Sequence, residues 1–161
     1  MIRRASESDI NDIVDVINLS NYTAYKYIIP PEYFKHPVVV YEDIRRDMEV
    51  MEFYVYEYYG KIVGVAALHP IYSEGVGIVR YVYIHPGFQR RGMGTELMNH
   101  IEDIAFKRGL KRLRLVTHEK AIWAIAFYRK LGYRIAGYRY RVAWRDVIFE
   151  KLIQPRNLLL E

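Results

Sequence analysis

Cysteine is missing from all 161 residues. That removes disulfide scaffolds, thiolate metal sites and every enzyme built on a cysteine nucleophile, and it agrees with a reducing compartment. Long apolar runs are missing too, since none approaches the roughly 18 residues that cross a bilayer. The N-terminus reads Met1-Ile2-Arg3-Arg4 and then turns acidic, without the apolar core of a secretion signal. A cytoplasmic protein with no membrane partner is the expectation. Histidine occurs only at 36, 69, 85, 100 and 118, with no metal-ligand spacing, so no metal is expected. Gln89 and Gln154 are the only glutamines, which with the missing cysteine leans toward a heat-adapted chain.

What is present suits a globular protein. Apolar residues make up 52% and charged residues 27%, which argues against disorder. The length predicts a single domain over 1–153 followed by a short tail, 154–161. The net charge of +5 fits nucleic acid, an acidic membrane surface or a polyphosphate-bearing cofactor, and does not choose among them. Tyrosine is abundant at 16 residues, with Tyr22, Tyr25, Tyr27 and Tyr33 in one group and Tyr54, Tyr56, Tyr58 and Tyr59 in another. Strand and interface packing explains such tyrosines, and a homodimer would use them. The sharper alternative is an aromatic substrate cleft built by residues 21–37.

Hydrophobic spacing gives the element order. Residues 2–5 read as a first strand, and Ser6 with Asp9 as the cap of a helix whose stripe is Ile10, Ile13, Val14 and Ile17. Residues 21–37 read as irregular, and a second helix covers Tyr41 to about Val50. Strands follow at 53–59, 61–68 and 76–84, the first two joined by a turn at Tyr59-Gly60. A long helix runs from about Arg91 to Arg108 and stops at Gly109. Then come a strand at 111–117, a helix at 120–131, and strands at 133–140 and 144–153. This order predicts an α/β (α+β) fold, a mixed sheet of about seven strands with about four flanking helices.

The segment Tyr81-Val82-Tyr83-Ile84-His85-Pro86-Gly87-Phe88-Gln89-Arg90-Arg91-Gly92-Met93-Gly94-Thr95 runs a strand through two glycines into the long helix. The first N–H groups of a helix lack internal partners and carry partial positive charge. Gly92 and Gly94 would let an anion approach the backbone, while Arg90 and Arg91 add charge. A tight strand-to-helix turn with solvated arginines looks the same. It is neither a dinucleotide fingerprint, since Leu97 takes the third glycine's place, nor a P-loop.

One strand downstream lies Ala124-Ile125-Ala126-Phe127-Tyr128-Arg129-Lys130-Leu131-Gly132-Tyr133. Together with Gln89-Arg90-Arg91-Gly92-Met93-Gly94 it resembles the two signature blocks of the GNAT superfamily of N-acetyltransferases. The resemblance covers residues 1 to about 153 and rests on 76–134. It implies a mostly antiparallel sheet, acetyl-CoA as cosubstrate and an amine acceptor. It also implies that Val82, Tyr83 and Ile84 hold the pantetheine arm. Gln89, Arg90, Arg91, Gly92, Met93, Gly94 and Thr95 would hold the pyrophosphate. Tyr128 would face the thioester sulfur and protonate the leaving thiolate. The stretch Trp144-Arg145-Asp146-Val147-Ile148-Phe149 resembles the small-molecule, phosphinothricin-type branch.

Two departures stand out. Ala121 takes the place where many members have a cofactor-touching Asn. Ile78 and Arg80 take the places of the usual Glu or His base. A lysine-like amine with a pKa near ~10.4 is only about 0.04% neutral at pH 7, so something must deprotonate it or favour its neutral form. His69, Glu74, His118 and Glu119 lie at strand ends that could serve. Strand alternation puts Ile78, Arg80, Val82 and Ile84 on one face, which in the family looks into the acceptor site. Arginine stays protonated but holds carboxylates and phosphates in pairs of hydrogen bonds. Arg80 therefore predicts an acceptor with an anionic group beside its amine, unless a nearby Asp or Glu pairs with it.

Other readings are a catalytically silent acyl-CoA sensor, a protein N-terminal or lysine acetyltransferase, and a nucleic-acid binder. Against the last, the arginines of 108–114 alternate with apolar residues, and no helix-turn-helix or RNP-like motif appears, so no nucleic-acid partner is expected.

Overall fold

Seven strands form one mixed sheet in the computed structural model, which describes residues 1–155. Most of the expected tail, 156–161, lies outside the described residues. In chain order the elements are β1 (Ile2–Arg4), α1 (Ile10–Tyr25), α2 (Tyr41–Asp47), β2 (Glu52–Tyr58), β3 (Lys61–Ile71) and β4 (Val76–Ile84). Then follow α3 (Met93–Lys107), β5 (Arg112–His118), α4 (Ile122–Lys130), β6 (Arg134–Tyr140) and β7 (Arg145–Leu152). The strands lie in the order β1-β2-β3-β4-β5-β7-β6. Every neighbouring pair is antiparallel except β4 and β5. The mixed, mostly antiparallel sheet with four helices is the architecture the sequence predicts. No helix among the described residues is long and apolar enough to cross a membrane.

The sheet carries a core on each face. On one, Ile10, Ile13 and Ile17 of α1 and Ile44 of α2 pack on Phe53, Val55 and Val65. On the other, Leu97, Met98 and Ile101 of α3 and Tyr128 of α4 pack on Leu113 and Phe149. Strand β5 shows the alternation at work: Leu113 and Leu115 are buried, while Arg112 and Arg114 turn out to Glu150 of β7.

Two local departures from the sequence reading shape the site. Helix α1 continues through Tyr25, into a segment that reads as irregular. Its polar last turns are held by tertiary bonds, since Ser20 Oγ donates to the Ile84 carbonyl at 3.0 Å and Tyr83 Oη to Asn21 Oδ1 at 3.1 Å. The second departure is a bulge in β4. Val65 stands opposite Tyr83 and Ala67 opposite Arg80, so Tyr81 and Val82 share a single partner position. Tyr81 takes a φ of 58°, a left-handed conformation that costs a bulky residue about 1–2 kcal/mol. Its ring stacks on Phe53 at 5.5 Å, and its hydroxyl donates to Asp47 Oδ2 at 2.5 Å, which offsets that cost.

The bulge corrects the predicted alternation. Arg80, Tyr81 and Tyr83 fall on the α1/α2 face, whereas Val82 and Ile84 pack on the α3 side. Arg80 therefore does not share a face with Val82 and Ile84.

The start of α1 depends on Asp9. Its carboxylate accepts two bonds from Arg3, at 2.8 and 2.9 Å, and one from the Ser6 N–H at 2.8 Å. Arg3, above all, holds its pKa down at about 2, against roughly 3.9 in an unfolded chain. The folded value is the lower one, so this stabilisation is complete above the unfolded value and fades as pH falls through the folded one. Asp9→Asn should lower the unfolding free energy at pH 7 by about 1–2 kcal/mol. In urea titrations, the gap to wild type should close as pH falls from about 4 toward 2.

Candidate active site

Strands β4 and β5 pair only where Val76–Ile78 meet Arg112–Arg114. Beyond that point β4 bonds to β3 alone and β5 to β7 alone, and the two strands part. A cleft of roughly 830 Å³ opens between them. Its walls are β4 from Val79 to Ile84, β5 from Leu115 to Thr117, the α4 side chains Phe127 and Tyr128, and the end of α1 at Tyr25. Of the tyrosines at 22, 25, 27 and 33, Tyr25 alone lines it.

The mouth is the loop before α3. Arg90 and Gly92 both have left-handed φ, 64° and 80°. Gly92 is the N-cap of α3, and no side chain caps the helix. The first intrahelical bond runs from the Glu96 N–H to the Gly92 carbonyl, so the N–H groups of Met93, Gly94 and Thr95 lack helical partners. All three residues, with Gln89 and Arg90, line the cleft. A Cβ at Gly92 would meet no atom within 4 Å, whereas one at Gly94 would press on Phe127 at 3.3 Å. Gly92 thus leaves open space for a ligand, and Gly94 lets α4 pack against α3.

Other predicted residues take different places. The Arg91 guanidinium lies over the Phe88 ring at 5.1 Å and does not line the cleft. The Ile84 carbonyl already accepts from Ser20 Oγ and from Gln89 Nε2 at 3.1 Å, which fills both its lone pairs. Val82 and Tyr83 line the cleft as well.

Tyr128 is almost wholly buried, with its ring near Phe127, Tyr133 and Phe149. Its side chain lines the cleft, and among the described residues its hydroxyl has no hydrogen-bond partner. Burial, reinforced by Tyr25 and Tyr83, pushes its pKa above the ordinary phenol value, so it stays protonated. Sequence reasoning missed Thr117 and Trp123 as lining residues and did not single out Tyr25 within 21–37; no motif marks them.

The charges in the lining are all of one sign. Arg80, Arg90 and Lys130 are there, and no Asp, Glu or His among the described residues. Arg80 is exposed, lies over the Tyr81 ring at 5.1 Å and has no carboxylate partner among the described residues. The four candidate bases stand elsewhere. Glu119 is paired with Arg145 at 2.7 Å, Glu74 is exposed in the β3–β4 turn, and His69 sits opposite Ile78 on β3. His118 is buried against Trp144, and its Nδ1 accepts the Lys120 N–H at 3.0 Å. Ala121, in the expected Asn position, is fully buried at the start of α4.

The family model for the acetyltransferase (GNAT) family matches residues 17–133. The chain belongs to that family. Amino-acid acetyltransferases of Azotobacter vinelandii (strain DJ / ATCC BAA-1303) and Pseudomonas aeruginosa (strain LESB58) are similar to this GNAT chain at 33% identity, over 99 and 96 residues. Those matches cover 58% and 56% of this chain but 22% and 21% of the relatives, so the chain spans less than a quarter of their length. Among solved structures, a PaiA N-acetyltransferase from Thermoplasma acidophilum in complex with coenzyme A has a TM-score of 0.77 at 22% identity. It covers 94% of this chain and 98% of its own. The ribosomal-protein-S18-alanine N-acetyltransferase from Escherichia coli also reaches 0.77, at 18% identity, covering 100% of this chain and 98% of its own. At these identities the likeness is one of fold.

Gly92→Val tests the mouth of this GNAT cleft. The branched side chain would fill the open space at the uncapped helix end and, at a φ of 80°, also strain the surface turn that presents the helix amides. Acetyl-CoA affinity in calorimetry should fall tenfold or more, about 1.4 kcal/mol or above, in a protein that still folds. Unchanged affinity would put the phosphates elsewhere.

Proposed function

We propose that this protein is an acetyl-CoA-dependent N-acetyltransferase whose acceptor carries an anionic group beside its amine. The observation that carries the reading is the cleft's one-signed lining, with Arg90 and bare helix amides at the mouth and an unpaired Arg80 on β4. Bare amides at a helix N-terminus suit a pyrophosphate. The gap between β4 and β5 suits an extended chain that takes up backbone bonds the strands leave unmade. Arg80 suits a carboxylate held by two parallel bonds. The similarity to proteins named amino-acid acetyltransferases supports such an acceptor.

In the reaction the amine attacks the thioester carbonyl and the carbon–sulfur bond breaks. Tyr128 donates a hydrogen bond to the sulfur as negative charge develops there. Its raised pKa keeps the donor proton in place. A thiol titrates near ~8.5, below a phenol near ~10, so full transfer from Tyr128 to the thiolate requires that Tyr128 recover a proton from the reacting amine.

Tyr128→Phe keeps the ring and its packing while removing the donor. It should lower kcat by roughly 10²–10⁴ with little change in acetyl-CoA affinity. If turnover holds and only about 1 kcal/mol of stability is lost, the hydroxyl is structural.

Arg80→Ala should raise KM for carboxylate-bearing amines about tenfold or more, the loss of a charge-assisted pair. Wild type should acetylate amino-acid-like acceptors in preference to spermidine. A preference for polyamines, or an unchanged KM in Arg80→Ala, contradicts the assignment. The missing carboxylate base favours a second reading, a silent acyl-CoA sensor. Acetyl-CoA binding without thiol release over an amine panel would establish it.

A further inference from the structure

Acetyl transfer to an amine needs the nitrogen lone pair, so an ammonium must lose its proton before attack. The usual proton acceptors are carboxylates, imidazoles and thiolates. Among the described residues none of these lines the cleft, and the chain has no cysteine.

The remaining ionisable groups there are the cations Arg80, Arg90 and Lys130 and the phenols of Tyr25, Tyr81, Tyr83 and Tyr128. Burial pushes Tyr25, Tyr83 and Tyr128 above their ordinary value. Burial and the bond to Asp47 bring Tyr81 up to about 12. None is a phenolate near neutrality.

Three acidic groups beside lining residues are committed, and His69, opposite Ile78 on β3, lies outside the lining. Asp47 accepts from Tyr81, Asp146 from Trp144 and Arg139, and Glu119 from Arg145. His118 receives a backbone N–H on Nδ1, which fixes its own proton on Nε2 and makes that atom a donor. Three fixed positive charges also disfavour an ammonium relative to the neutral amine.

We propose that no described residue of this protein takes the proton from an ammonium before attack and that acceptors are taken up already neutral, so that acceptor choice follows the basicity of the amine as well as its anionic group. The proposal rests on the acetyl-transfer reading above. The step balances without a base. The neutral amine forms the new nitrogen–carbon bond, the carbon–sulfur bond breaks, and the proton released from nitrogen ends on sulfur, giving an acetamide and a free thiol.

The favoured class is a low-basicity amine carrying a carboxylate, such as a short peptide's α-amine. At pH 7 an amine near ~8 is about 10% neutral, and a lysine-type amine near ~10.4 about 0.04%.

The test measures thiol release by the full chain with acetyl-CoA and two carboxylate-bearing probes, glycylglycine and 6-aminohexanoate. Each is followed from about pH 6 to about pH 11, with acetyl-CoA affinity tracked alongside. The expected kcat/KM rises tenfold per pH unit and bends at each probe's own amine pKa, near ~8 for the first and near ~10.4 for the second. The position of the bend is the decisive readout, because the reactivity of neutral amines itself rises with basicity.

A bend at one shared pH for both probes would overturn the proposal by revealing a base on the protein. If Asp47→Asn removed that shared bend, the base would be the Tyr81–Asp47 pair. Thiol release with neither probe, while acetyl-CoA still binds, contradicts the acetyl-transfer reading itself and takes the proposal with it.

Discussion

Strand β4 bonds to β5 over three residues and then turns away, and the candidate site depends on that parting. A fully zipped parallel pair would bury the edges of both strands and leave no cleft. The bulge at Tyr81 goes with the parting, since an extra residue bends and twists its strand. A left-handed tyrosine is an expensive way to build a bulge. It persists because Phe53 stacks on the ring and Asp47 holds the hydroxyl. Helix α1 supports the far end of the same strand through Ser20 and Asn21. The two cores keep the sheet rigid on either side of a gap that neither of them fills.

The charges that line the gap are all positive among the described residues. Carboxylates are plentiful nearby, yet each of those named is paired: Asp47 with Tyr81, Asp146 with Trp144 and Arg139, Glu119 with Arg145. The ionisable groups that face the cleft are guanidinium, ammonium and protonated phenols, set among helix amides and many apolar side chains. Such a surface attracts anions along its length and offers nothing to a polycation. An anionic cosubstrate and the anionic acceptor proposed above would be accommodated by one electrostatic arrangement, in a lining that has no carboxylate or imidazole among the described residues.

Much of this was legible in the sequence. Helical and strand periodicity gave the element order, and Gly92 with its neighbours marked the start of α3. The block around Tyr128 placed that residue at the cleft. The illegible part has a physical cause in each case. Nothing in Arg80-Tyr81-Val82 signals a bulge, because left-handed positions usually advertise themselves with Gly or Asn. Strict alternation therefore grouped Arg80 with Val82 and Ile84. Residues 21–25 looked like loop because the end of their helix is held by partners remote in sequence, Ile84 for Ser20 and Tyr83 for Asn21. Arg91 fits a phosphate-binding pattern by type, yet its guanidinium lies over Phe88, and Gly94 lines the cleft while also leaving room for Phe127. Tyr25 was one tyrosine in a rich segment, and only the course of α1 singles it out.

The central claim is that the parted strands and the bare end of α3 form one continuous site for acetyl-CoA. Amide hydrogen exchange with and without coenzyme A tests this most directly, because it reads the backbone that the ligand should cover. The account predicts slowed exchange in β4 beyond the bulge, in β5 from Leu115 to Thr117 and at Met93–Thr95, with β1 and β6 unchanged. Protection confined to other elements, or none at saturating coenzyme A, would contradict it.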